Sequence, residues 1–356
     1  MLIRPIRTND LPALLDLAGK TGVGLTTLPR NEAELKRRIT LSTQSFMGQA
    51  ERADEIFLFV LEDTATRHVA GICAIATAIG LRQACYSYRV GLAVHASQEL
   101  GVFTQTQTLF LSNDHTGRSE LCSLFLDPDY RRDKNGSLLS KARFLFIAQF
   151  HDHFSAKFIA ELRGPSDASG KSPFWESLGR RFFSMDFSQA DYLTGIGKKS
   201  FVAELMPKHP MYCSFLTEEA QAAIGQTHEL TRPALALLES EGFRYEGHVD
   251  IFDAGPTLEC ATADIDAVAQ SRLFEVTIKD EIDTPLENAS KGVPYLVSNT
   301  RLDSFRATLV QGHPNEQGFV LAQAIANALG VKDGEPIRAV ALSPKDRYRP
   351  ASSNAL

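Results

Sequence analysis

The sequence predicts an α/β (α+β) protein with a mixed, mostly antiparallel sheet and a small β-barrel-like domain at its C-terminal end. Three observations carry this. The first part of the chain runs strand, helix, helix and then several strands, the order of a layered α/β architecture. The stretch "LCSLFLDPDYRRDKNGSLLSKARFLFIAQF", residues 121–150, sets an apolar strand, a basic Gly-containing turn and a long apolar-periodic helix back to back. Beyond "DIFDAGPTLEC" the segments shorten to strand-sized pieces with one helix among them.

Each element follows from its local pattern. "LIRPIR" alternates as a short strand. Thr8, Asn9 and Asp10 offer capping side chains ahead of Pro12, and the helix they start carries Leu11, Leu14, Leu15 and Ala18 on one face before Gly19 ends it. "NEAELKRRITLSTQSF" is a second, more charged helix. "EIFLFVLED" and "VAGICAIATAIG", joined by the polar "TATRH", read as a hairpin. "ACYSYRVGLAVHAS", "TLFLSNDHTGRSE" and "ELCSLFL" continue the strands, the last too apolar for an edge. "SLLSKARFLFIAQF" is a helix with Leu138, Leu139, Ala142, Leu145 and Phe146 at helical spacing. "KFIAELRG" and "SFVAELMP" then read as two similar short strands, with "SPFWESLGRRFF" and "PALALLESEGFRYEG" as helices ending at a Gly-aromatic step. Their unequal spacing argues against a repeat array. In the last part "RLFEVTIKD", "PYLVSN", "FRATLVQG" and "IRAVALSP" are strands, the last as a barrel-closing strand, and "QGFVLAQAIANALGV" is a helix. The expected division is therefore residues 1–255, a barrel-like unit over 256–345 and a flexible tail over 346–356.

Composition narrows the function classes. A hydrophobic content of 44% with 22% charged residues suits a soluble globular chain, and the net charge of -6 argues against duplex nucleic acid as partner. Any anion site must then be local. No apolar stretch approaches the roughly 18 residues of a membrane span, and the N-terminus lacks a signal pattern. Five cysteines, at 73, 85, 122, 213 and 260, form neither a CxxC pair nor a zinc spacing. They read as reduced and structural, which points to a cytoplasmic protein without a metal or prosthetic group.

The turn in "DYRRDKNGSLL" offers more. Arg131 and Arg132 follow the strand, Asn135 and Gly136 make a tight approach, and a helix starts at Ser137. Backbone N–H groups and the dipole at a helix N-terminus favour an anion, and the arginines add bidentate donors. The residues alone fit a pyrophosphate cradle and a capped strand-to-helix turn equally well.

Arg131-x-x-Lys134-x-Gly136 resembles the Arg/Gln-x-x-Gly-x-Gly/Ala turn of the GNAT superfamily, with Lys134 where that pattern has Gly. Longer blocks, among them "GLTTLP", "TLFLSNDHTG", "SELCSLFLDPDYR", "SPFWESLGRRFFSMDF", "AELMPKHP" and "EGFRYEGHVDIFDAGPTLEC", are similar to the arginine N-succinyltransferase family over most of residues 1–260. The resemblance implies a GNAT-like acyltransferase domain over 1–255 and transfer of succinyl from succinyl-CoA, as co-substrate, to the α-amine of L-arginine. It also implies assembly as a homo-oligomer or with a paralogous subunit. Ornithine as acceptor, another acyl-CoA as donor, or a non-catalytic subunit remain alternatives.

Acyl transfer needs CoA held, the thioester carbonyl polarised, the amine deprotonated and the thiolate protonated. The turn supplies Arg131, Arg132, Asn135, Gly136 and Ser137 for CoA; the preceding strand supplies Leu124, Phe125 and Leu126, whose backbone runs beside the pantetheine in the GNAT arrangement. The family resemblance points to Leu124 for the succinyl-CoA contact and carries a proton-donor role onto His228 in "IGQTHELTRP". Glu120, taken to share a strand face with Cys122 and Leu124, is a candidate for the amine or guanidinium, with Glu161 and Asp114 behind it. Arg89 and Arg163 are candidates for the succinyl carboxylate. Cys122 is rejected as a nucleophile, because direct attack by the amine needs no covalent intermediate.

Overall fold

The structure is a computed structural model that describes residues 1–21, 27–167, 169–198, 200–279, 292–312, 314 and 318–347. The strands up to the middle of the chain are β1 (Leu2–Pro5), β2 (Ile56–Glu62), β3 (Val69–Ala76), β4 (Ser87–Ser97), β5 (Val102–Ser112), β6 (Ser119–Leu126) and β7 (Lys157–Glu161). Then come β8 (Met211–Tyr212), β9 (Arg244–Val249), β10 (Pro256–Ala261), β11 (Arg272–Lys279), β12 (Val293–Ser298), β13 (Ala307–Gly312), β14 (Phe319–Ala322) and β15 (Pro336–Ala341). They form one sheet in the order β14-β11-β15-β12-β13-β1-β2-β3-β6-β7-β10-β9-β4-β5-β8. Among its described pairings only β6–β7 and β11–β14 are parallel.

Three helices cover the part of the sheet that matters here: α1 (Leu11–Lys20), α2 (Glu32–Phe46) and α3 (Asn135–Gln149). Asp10 fixes the start of α1, its carboxylate accepting from the Arg7 N–H at 2.7 Å and from the Arg4 guanidinium at 2.7 and 2.9 Å. Asn31 caps α2 by accepting from the Glu34 N–H at 3.0 Å. α1 and α2 seal one face through Leu14, Leu17, Leu35 and Ile39 against Leu58, Val60 and Ile72. α3 lies on the opposite face and is buried nearly all round, its apolar residues packing with Phe57, Phe59, Phe158 and Phe305. Such a helix is a core element, not a surface one.

Several expectations need correction. "SFVAEL" is a helix, Ser200–Leu205, although "KFIAE" with nearly the same letters is β7. Val202 and Met206, four residues apart, are both buried against Phe174, Trp175 and Phe183, so the local tertiary contacts demand helical spacing. The expected helix "FVLAQAIANAL" begins instead as β14, and only Gln323–Leu329 is helical. "IRAVALSP" closes no barrel: β15 lies inside the sheet between β11 and β12, and β13 joins the free side of β1 at Ile3↔Ala307. The C-terminal strands therefore extend the main sheet openly. β10, which begins at the expected boundary, pairs with β7 and β9 and so belongs with the N-terminal strands. The tail expected over 346–356 lies outside the described residues from 348 onward. Among the described residues no helix is long and apolar enough to cross a membrane.

Candidate active site

The site opens where two parallel strands part. β6 and β7 pair only at Ser119↔Phe158 and Glu120↔Ile159; beyond this β6 stays with β3 while β7 follows β10. The wedge between them is a cavity of about 660 Å³, walled by residues 120–126 on one side and 160–163 on the other. The N-terminus of α3 stands at its mouth, and the helix Arg232–Ser240 and the turn after β9 complete it.

The wall of β6 is not a regular strand. Its register against β3 shifts between Ile72 and Ala74, and Ser123 has φ of 53°, the left-handed region. The Ser123 N–H donates to Thr27 Oγ1 at 3.1 Å, while Arg38 donates to Ser123 Oγ at 3.0 Å, so this bulge is pinned from the α2 side. As a result Cys122 and Phe125 pack on the α1/α2 face, whereas Leu121, Leu124 and Leu126 pack on the α3 face. The expectation that Glu120, Cys122 and Leu124 share one face is thereby overturned for Leu124, because a bulge shifts the two-residue period. Leu124, Phe125 and Leu126 all line the cavity with partly buried side chains.

At the mouth, Arg131, Arg132, Asn135, Gly136 and Ser137 line the cavity together. Their roles differ. Asn135 is buried, donates its amide to the Tyr130 carbonyl at 3.1 Å and makes a backbone bond to Arg132, so it shapes the turn. Arg131 donates to the Leu126 carbonyl at 3.3 Å, and Arg132 lies over the Tyr130 ring at 5.7 Å; both remain exposed. Gly136 and Ser137 precede the Leu138 N–H that bonds to Lys134, so their own N–H groups belong to the open first turn of α3. A Cβ on Gly136 would meet only Leu126, at 3.8 Å, so the space above it is that of the cavity. Asp133 and Lys134 carry φ of 52° and 61°: Lys134 adopts the left-handed conformation that a glycine would take at that place.

The far wall gathers charge. Arg163 donates to Ser166 Oγ at 2.6 Å, its Nε is buried without a hydrogen-bond partner, and burial pushes its guanidinium down against the pull of Asp253 and Asp191. Asp253 is buried and accepts from the Gly164 N–H at 2.8 Å and the Gly255 N–H at 2.9 Å. Burial, aided by the charge of Asp250, holds its carboxyl well above the ordinary range. Glu120 and Glu161 line the same cavity. His228 does not: the wall contributed by its segment begins at Leu230. The histidine sits at the rim, its Nδ1 accepting from the Leu230 N–H at 3.1 Å, an arrangement that leaves the proton of the neutral ring on Nε2. Burial and the nearby charge of Arg163 hold it below its ordinary 6.5.

Arg89 is not brought to this site. It is exposed on β4, in register with His248, and feels Asp114. There His248 bonds Glu259 at 3.1 Å and Asp114 at 3.3 Å, His115 bonds Glu259 at 3.2 Å, and Lys157 completes the group at 2.9 Å from Glu259. His115, His248 and Glu259 offer ligand atoms within 4.8 Å of one another, a cluster that their distant sequence positions conceal. Cavity residues missed from the sequence include Asp191, Asp250, Asp253 and Arg143. The acidic "DIFDAG" turn carried a visible signal; Arg143, inside a helix that read as core, carried none.

Comparison with known proteins agrees with this geometry. A family described as "Arginine N-succinyltransferase beta subunit" matches residues 1–267, and its "C-terminal domain" matches residues 275–341. The chain is 52% identical over 349 residues to an arginine N-succinyltransferase of Yersinia pseudotuberculosis serotype O:3, covering 98% of this chain and 100% of the relative. It is 52% identical over 347 residues to the arginine N-succinyltransferase of Enterobacter sp. strain 638, with 98% and 99% covered. The solved structure of arginine/ornithine succinyltransferase subunit AI from Pseudomonas aeruginosa superposes with a TM-score of 0.87 at 34% identity, covering 96% of this chain and 98% of that one. Over nearly its whole length, then, the chain belongs to the arginine N-succinyltransferase family and is an acyltransferase of GNAT-like fold.

Proposed function

We propose that this acyltransferase moves succinyl from succinyl-CoA to the α-amine of L-arginine, giving N2-succinyl-L-arginine and CoA. The observation that carries the reading is the wedge between β6 and β7, with a helix N-terminus and two arginines at its mouth and carboxylates along its walls. Such a wedge admits an extended thiol arm from the phosphate turn toward Glu120, while the acceptor amine enters from the acidic side.

The chemistry divides among the residues as follows. The phosphates rest on the N–H groups of Gly136 and Ser137 and on Arg131 and Arg132. The backbone at Leu124, freed from regular pairing by the bulge at Ser123, donates to the thioester carbonyl oxygen. Glu120 takes a proton from the acceptor ammonium, with Glu161 beside the guanidinium. The free amine attacks the carbonyl carbon, a C–N bond forms, and the C–S bond breaks. The departing thiolate takes a proton from Nε2 of the His228 imidazolium, and the second amine proton passes through solvent back to the ring, restoring it.

A second reading has ornithine as acceptor. It is favoured by the Pseudomonas aeruginosa protein, whose description names both amino acids and a subunit. That description also supports assembly with a second copy or a paralogous chain. The buried thiols of Cys73, Cys122, Cys213 and Cys260, none of them in a disulfide, support a reducing, cytoplasmic location.

The test is thiol release from succinyl-CoA by the purified chain, with L-arginine, L-ornithine or neither. Arginine-dependent release that acetyl-CoA does not support establishes donor and acceptor. Faster release with ornithine favours the second reading, and no release with either acceptor sinks both.

A further inference from the structure

Arg143 is the most deeply buried charge at the cavity. It is 2% exposed in the middle of α3, yet it forms part of the cavity wall. Its hydrogen bonds all run to neutral groups: Nε to the Ser140 carbonyl at 3.0 Å, Nη2 to Ser140 Oγ at 2.9 Å and Nη1 to the Ala74 carbonyl at 3.4 Å. The guanidinium has N–H groups to spare beyond these. Its ionisable neighbours are the thiols of Cys73 and Cys122, both pushed up to about 12 by burial and therefore neutral. No carboxylate faces it among the described residues. A buried cation without a counter-charge is costly, and a protein that keeps one in a cavity wall leaves it for an anion from outside.

Position says which anion. Arg143 lies about 9 Å along α3 from Ser137, well inside the mouth where the phosphates would rest. It touches Ala74 where the bulge of β6 interrupts the pairing with β3, so it is level with the backbone assigned to the thioester. The other deep cation, Arg163, already faces Asp253 and Asp191. We propose that Arg143 is the specificity-determining residue for the acyl donor, its buried guanidinium receiving the distal carboxylate of a dicarboxylic acyl-CoA. This rests on the succinyl-CoA reading and supplies its missing selector. It also displaces Arg89 and Arg163 from that role.

The test compares succinyl-CoA with butyryl-CoA, which keeps the chain length and lacks the carboxylate, in wild type and in Arg143→Met. The ratio of kcat/KM for succinyl-CoA over butyryl-CoA is expected to fall about 100-fold in the variant. Arg143→Lys, which keeps a charge, is expected to retain part of the ratio. Equal losses on both donors would make Arg143 a support of the bulge and overturn the proposal. A selective rise in KM for L-arginine, absent with agmatine, would instead assign Arg143 to the carboxylate of the acceptor.

Wild-type protein crystallised with a thioether analogue of succinyl-CoA gives a readout that does not depend on the variants folding. The analogue's carboxylate is expected on Arg143, and finding it on another cation overturns the proposal. A protein that binds the analogue in this way but transfers nothing would leave Arg143's role standing while the transfer reading fails.

Discussion

The backbone N–H of His228 donates to the carbonyl of Arg163 across 2.8 Å, so the histidine is tied to the end of β7 and to the cation that follows it. Burial and the Arg163 charge both disfavour imidazolium, and His228 therefore titrates below its ordinary 6.5. In Arg163→Met the limb of the pH–rate profile that reports His228 is expected to move up. An unmoved limb would mean that another group titrates. His228→Ala is expected to lower kcat about 100-fold or more, the size of a lost general acid.

Cys122 faces the cavity, and burial pushes its thiol up to about 12. Such a thiol is not a nucleophile near neutral pH. Cys122→Ala is expected to turn over within about 3-fold of wild type, with no acylated protein detectable by mass spectrometry during turnover. A burst of CoA release before steady state would contradict direct attack by the amine.

Lys134 holds a left-handed backbone at φ of 61° just before α3. Glycine meets no Cβ clash there, and its greater freedom in the unfolded chain offsets part of that advantage. Lys134→Gly is expected to raise the unfolding free energy by roughly 0.5 kcal/mol, read from denaturant titration. A fall in stability would show that the lysine side chain contributes more than its backbone costs.

The His115–His248–Glu259 group makes stability depend on pH in both directions. The hydrogen bonds from His115, His248 and Lys157 hold Glu259 below its ordinary 4.5, so its contribution is present above that pH and lost on acidification. The bond to Glu259 holds His248 above its ordinary 6.5, so its contribution is present below that pH and lost as pH rises through the folded value. The difference in Tm between wild type and Glu259→Gln is thus expected to peak between about pH 4.5 and 6.5. A difference that does not vary with pH would mean the group is not ionised as described.

Much of the site was legible because its parts are local. The turn from Arg131 to Ser137 is contiguous, and strand, turn and helix announce themselves by apolar period and capping. Glu161 and Arg163, assigned from residue type alone, do meet Glu120 and Leu124 in one cavity, because β6 and β7 are neighbours in the sheet. Arg89 failed the same reasoning: its strand lies beyond β9 and β10, and strand order is not written in any one segment.

By itself the sequence determined which segments are strands and helices over most of the chain, where a basic turn leads into a helix, and the family whose blocks it carries. Tertiary structure alone decided the rest. "SFVAEL" became a helix because buried partners required contact every four residues, and the C-terminal strands joined β1 because its edge was open to them. The bulge at Ser123 turned Leu124 to the opposite face from Cys122. Arg143 became a cation without a counter-charge only once α3 was laid across β3 and β6. Periodicity reports which residues must be buried, whereas the identity of the partner that buries them, and whether it brings a charge, depends on chain crossings far apart in sequence.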